Sequence, residues 1–186
     1  GEMLGDHWLV EKLGWWDESY HVPLIVVDPR AEADATRGTA VDRFTESVDV
    51  MPTICSWMGA EVPIQVDGRE LQPFFHDGTA PDDWRTEAHW QWDFRDPVDH
   101  LAEEVFGLTM EQCTLDVLRG DGYKFVQLGN GERLYFDLAD DPHQVVNRAD
   151  DPAVLPAMAE AQSKLLTWRM RHDDRTLTGH KVTAER

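Results

Sequence analysis

A chain of 186 residues with 41% hydrophobic side chains can bury a substantial core, in one domain or in a small domain plus part of another. Its 36 acidic against 17 basic residues give a formal charge of -19, which repels a phosphate backbone and argues against a nucleic-acid-binding surface. No run of about 18 apolar residues is present to span a membrane, no intact signal peptide is visible, and two distant cysteines, Cys55 and Cys113, fit a reducing cytoplasmic setting.

Along the chain, residues 22 to 28 (Val-Pro-Leu-Ile-Val-Val-Asp) are a short apolar, β-branched run, expected as a strand buried on both faces in a mostly parallel sheet. Residues 31 to 40 read as a surface connection. Asp49 is placed to cap a helix with Pro52 in its first turn. Val48, Met51, Cys55 and Met58 repeat at the spacing of one buried face, and Gly59 is a natural stop. Residues 60 to 83 are rich in Pro and Asp-Gly pairs, a loop with one helical turn near Leu71 to Phe75.

Beyond residue 86 the pattern changes to short strand-like runs: Thr86 to Phe94, Cys113 to Leu118, Tyr123 to Leu128 and Arg133 to Leu138. The turns Gly120-Asp121-Gly122 and Gly129-Asn130-Gly131 suit tight hairpins, so successive strands run antiparallel. Residues 97 to 110 are expected as an insertion with some helix. Val154, Met158, Ala161, Leu165 and Trp168 form one helical stripe, which predicts an amphipathic helix over 153 to 171 packed on the sheet. A polar, extended tail follows residue 172. The fold class is therefore α/β, the end of one α/β domain (1 to 83) followed by a small α+β domain (84 to 186) with a four-stranded antiparallel sheet.

The opening run Gly-Glu-Met-Leu-Gly-Asp-His-Trp, then Lys12 and residues 17 to 30 ending in Asp-Pro-Arg, resembles the segment after the second metal-ligand pair of sulfatases and phosphonate monoester hydrolases of the alkaline phosphatase superfamily. In that family the run reads Asp-His-Gly-Glu, whereas this chain opens on the Gly. Ser47 to Ile54 with Gly59, Asp67-Gly68-Arg69, Tyr123-Lys124-Phe125 and Tyr135-Phe136-Asp137-Leu138 with Asp141-Pro142-His143 extend the resemblance. Trp84 to Glu87, Trp92 to Asp96, Glu111-Gln112-Cys113 and the tail from Trp168 to Thr178 pull it toward the phosphonate monoester hydrolase branch.

What the resemblance implies is the C-terminal part of a hydrolase of phosphonate monoesters, phosphodiesters or sulfate esters. Its formylglycine nucleophile and divalent cation (Mn, Ca or Mg) have their motif and ligands outside this chain, so these residues alone should be inert. Lys12 matches the lysine that members place beside the sulfuryl or phosphoryl oxygens, where an ammonium stabilises developing charge. A lone lysine is ordinarily a solvated surface group, but this chain has only four.

Glu2 is a candidate to brace the lost ligand pair, although a Glu near a helix start is also favoured by the dipole. His7 is a candidate substrate contact or loop-fixing residue, and Tyr20 and His21 are candidate substrate contacts beside the apolar run. The other histidines show no zinc spacing, and Trp90 and Trp92 alternate as on one packed sheet face.

Alternatives are an arylsulfatase or sugar sulfatase, or a non-catalytic oligomerisation module. The expected partners are a small-molecule ester and, as a homo-oligomer, further copies of the complete enzyme held through residues 172 to 186. Neither nucleic acid nor membrane is expected.

Overall fold

Four strands follow one another across a single antiparallel sheet in chain order: β1 (Glu87–Asp93), β2 (Thr114–Gly120), β3 (Tyr123–Leu128) and β4 (Arg133–Asp137). This computed structural model describes residues 1–173, so the expected tail from 174 to 186 lies outside the described residues. The helices are α1 (Asp17–Tyr20), α2 (Val50–Trp57), α3 (Gln72–His76), α4 (Leu101–Phe106) and α5 (Leu155–His172). No helix among the described residues is long and apolar enough to cross a membrane. The described residues divide into two compact units, one of residues 1–25 with 86–163 and one of residues 26–85 with 164–173.

In the first unit, the period-two alternation sorts side chains onto two faces. One row runs Trp90, Val117, Val126 and Leu134 across all four strands. Leu115, Val117, Val126 and Phe136 form the buried cluster on that face, against which Trp15, Trp90 and Trp92 pack. Burying each such side chain contributes about 1.5–3 kcal/mol. The opposite face carries Leu118, Phe125 and Tyr135, all buried. On that side α5 is tied to β3 by Gln162 donating to the Gln127 carboxamide oxygen at 3.2 Å; of the predicted stripe, Val154, Met158, Ala161 and Leu165 are buried and Trp168 is half-buried. The sheet thus has residues 155–163 of α5 on one face and the N-terminal segment on the other.

The second unit is built on a buried carboxylate. Asp49 accepts from the backbone N–H groups of Glu46 and Arg69, both at 2.8 Å, and pairs with the Arg85 guanidinium through both oxygens. Thr53 Oγ1 donates to the Asp49 carbonyl at 2.6 Å and accepts from Leu71 N–H at 2.9 Å. Leu71, Phe74 and Trp84 cluster beside this network, the Phe74 and Trp84 rings meeting edge to face at 4.7 Å.

Two expectations are corrected here. Residues 22 to 28 form no strand, and Val22, Leu24, Ile25, Val26 and Val27 are exposed. No other strand among the described residues lies alongside to complete a ladder, and without one an extended run has no partner for its backbone. Likewise α2 buries Asp49, Pro52 and Thr53 while Val48, Met51 and Met58 face solvent. The polar network around Asp49 turns that side of the helix inward.

Candidate functional site

Residues 1–21 form a loop closed on itself and then fastened to the sheet. Met3 N–H donates to Glu11 O at 2.9 Å, and Gly5 N–H to Leu9 O at 2.9 Å. The Glu2 carboxylate accepts from Glu11 N–H at 2.5 Å and from Leu4 N–H at 3.4 Å, so it braces the loop from within. Met3 is the apolar plug beneath, fully buried. Leu4, His7, Trp8 and Glu11 all adopt positive φ, between 51° and 65°. Such conformations cost of order 1–3 kcal/mol each and persist only where surrounding contacts over-determine them, a condition that gathers at functional loops.

The expected site residues occupy distinct positions on this loop. Lys12 is exposed and makes no hydrogen bond or ion pair among the described residues. Its two sequence neighbours are both held: Glu11 by Glu2, and Leu13 by the Ser19 hydroxyl, which accepts from Leu13 N–H at 3.1 Å and donates to Leu13 O at 3.3 Å. The His7 ring stacks on Trp16 at 3.6 Å between centroids, and Trp16 in turn meets Phe136 of the sheet core at 6.3 Å. Tyr20 stacks on Trp90 at 4.9 Å, and burial raises its phenol pKa. His21 is exposed, with its backbone N–H closing α1 onto Asp17 O at 2.6 Å.

What holds this arrangement was not singled out from the sequence. Lys124, on the inner strand β3, has a side chain fully removed from solvent. Its ammonium donates to Trp15 O at 2.8 Å, to the Asp17 carboxylate and to the Gln144 carboxamide oxygen, and it lies 5.3 Å from the Trp90 ring centroid. Arg119 Nε approaches the second Asp17 oxygen at 3.5 Å. The signal available in the sequence was a lysine inside the apolar run Tyr-Lys-Phe-Val, where alternation puts it on the same face as Val126. At Gly1, a Cβ would meet the Glu18 and Ser19 carbonyl oxygens at 2.3 Å, so only glycine lets Glu2 N–H reach Glu18 O at 3.0 Å.

Chemically, the loop displays on a braced backbone an exposed ammonium that makes no ion pair among the described residues, and such a group can receive an anionic oxygen. Leu4, Trp8 and Val10 beside it are exposed, Trp8 to 98%. Among the described residues no three His, Cys, Asp or Glu side chains converge as cation ligands, so these residues do not themselves build a divalent-cation site. A separate apolar hollow of about 310 Å³, lined among others by Trp15, Trp92, Phe94 and Phe106, includes none of Glu2, His7, Lys12, Tyr20 or His21.

The multifunctional alkaline phosphatase superfamily protein PehA of Trinickia caryophylli is 42% identical over 185 residues, covering 100% of this chain and 35% of that protein. The phosphonate monoester hydrolase structure from Agrobacterium radiobacter superimposes with a TM-score of 0.87 at 40% identity, covering 95% of this chain and 34% of that one. The phosphonate monoester hydrolase SpPMH from Silicibacter pomeroyi gives 0.85 at 36% identity, covering 96% and 34%. The chain thus spans about a third of the length of these relatives. A family model described as N-sulphoglucosamine sulphohydrolase, C-terminal, matches residues 5–171, and the chain belongs to that sulfatase-related family.

Proposed function

We propose that these residues are the C-terminal third of a hydrolase that cleaves phosphonate monoesters, phosphodiesters or sulfate esters, and that Lys12 is the residue of this chain that meets the ester. The carrying observation is an exposed ammonium with no ion pair among the described residues, on a strained loop whose neighbours on both sides are hydrogen-bonded in place. An ammonium carried on a backbone so held adds positive charge where a non-bridging or leaving oxygen becomes more negative. In this reading a formylglycine and a divalent cation (Mn, Ca or Mg), both contributed by polypeptide outside these residues, supply the attacking oxygen and its activation. His7, Tyr20 and His21 line the approach, and Glu2 acts on the loop backbone.

Identities of 36–42% to PehA and the phosphonate monoester hydrolases, against 27% to the N-acetylglucosamine-6-O-sulfatase of Bacteroides thetaiotaomicron, support the phosphonate branch over a sugar sulfatase. Two free cysteines support a reducing, cytoplasmic setting. Homo-oligomerisation of the complete enzyme is expected, and size-exclusion chromatography with and without residues 172–186 checks it.

The test is Lys12→Ala in the complete enzyme, assayed on p-nitrophenyl phenylphosphonate and p-nitrophenyl sulfate. Loss of one charge-stabilising donor is expected to lower kcat by about 10²–10³ with an unchanged circular dichroism spectrum. Retention of full activity by that variant sinks the assignment.

A further inference from the structure

We propose that Lys124 is the positioning residue for Lys12: one buried ammonium on β3 fastens α1 to the sheet and thereby sets where the exposed ammonium stands. The inference rests on the reading of Lys12 given above.

A lysine removed from water persists only where acceptors replace its hydration. Here all three donors are used, by Trp15 O, Asp17 and Gln144. Burial pulls the Lys124 pKa below its ordinary value, opposed by the attraction of Asp17. Gln144 is itself buried and takes φ of 57°, a conformation a non-glycine residue adopts only when its contacts hold it there.

Two of the three acceptors belong to the stretch that carries α1, and both flanks of Lys12 are clamped to that helix. Leu13 is bonded to Ser19 in both directions, while Glu11 is held by the Glu2 carboxylate and Glu2 N–H by Glu18 O. Trp90, under the Lys124 ammonium, also stacks on Tyr20, so α1 is held at both ends. Lys124 is therefore linked to the backbone beside Lys12 through Asp17, the single turn of α1 to Ser19, and the two Ser19–Leu13 hydrogen bonds. An apolar side chain at 124 would fill the space, leave Trp15 O and the Gln144 carboxamide oxygen without that donor, and leave Asp17 with Arg119 alone.

A double-mutant cycle in the complete enzyme tests this, with p-nitrophenyl phenylphosphonate as substrate. Lys124→Met is expected to lower kcat by about 10- to 100-fold, the cost of misplacing a reacting group by about 1 Å, with a change of less than about threefold in KM. In the Lys12→Ala background the same substitution is expected to change kcat by less than about twofold, because the group it positions is gone. An equal loss in both backgrounds overturns the inference and leaves the reading of Lys12 standing. Full activity of Lys12→Ala alone overturns both. Should Lys124→Met fail to fold, Asp17→Asn, which keeps the shape and removes the charge, goes through the same cycle under the same criterion.

Discussion

Asp49 is a carboxylate with no access to solvent that carries the Arg85 guanidinium and two backbone N–H groups. Removing one partner of such a pair leaves the other charge buried and uncompensated, which costs about 3–5 kcal/mol. Asp49→Ala is therefore expected to lower the unfolding free energy from urea titration by that amount, and a change under about 1 kcal/mol would rule out the hub role. Asp28 holds a similar position, with Arg30 Nη2 at 2.7 Å and His76 Nε2 at 2.9 Å. Hydrogen bonding from Arg30, then from His76, holds its carboxyl well below the usual 3.8. A group with a depressed folded pKa stabilises the native state above its unfolded value, and that stability is lost as pH falls below 3.8. Thermal melts taken downward from about pH 5 should show this acid loss, and Asp28→Asn should flatten it. From the sequence, Asp49 was legible only as a helix cap and Asp28 only as the end of an apolar run. Glu46 and Arg30 are near neighbours, but the partners that tie these carboxylates into the unit, Arg69, Arg85 and His76, lie 20 to 48 residues away, beyond any local pattern.

Elements whose signal is local came through nearly intact. The four strands fall within a residue or two of the predicted runs because alternation and the Gly-rich turns act between neighbours. The stop of α2 was legible for the same reason. Gly59 takes φ of 69°, its N–H donates to Ser56 O at 3.0 Å, and Ala60 N–H donates to Cys55 O at 2.8 Å. Gly59→Ala forces a Cβ into the left-handed region at a cost of about 1–2 kcal/mol, measurable as a lower unfolding midpoint. A neutral outcome would show that the turn relaxes to another form. The buried face of α2 was not legible. Apolar spacing at Val48, Met51 and Met58 pointed one way, while a hydrogen-bond network centred on Asp49 and Thr53 decided the other. Burying satisfied polar groups with Pro52 outweighs an apolar stripe that no described residue covers.

Across the whole molecule, the net charge of -19 opposes association, yet Val22 to Val27 expose an apolar, β-branched run with Ile25 at 84% and Val27 at 72%. A run without a ladder neighbour offers its backbone edge and its apolar side chains to another copy. The same composition made it legible as a buried strand, since sequence states a need for burial without naming what satisfies it. The 186-residue chain is accordingly expected to self-associate reversibly in sedimentation velocity runs, and Ile25→Lys to shift it toward monomer. Lysine reduces the magnitude of the net charge, so weaker association in that variant does not come from greater long-range repulsion between chains and places the change at the contact itself, where a charge replaces an apolar side chain. Identical sedimentation of the two chains would remove residues 22–27 as the sticky surface, and a variant at an exposed site elsewhere, Val146→Lys, should leave the association as it was.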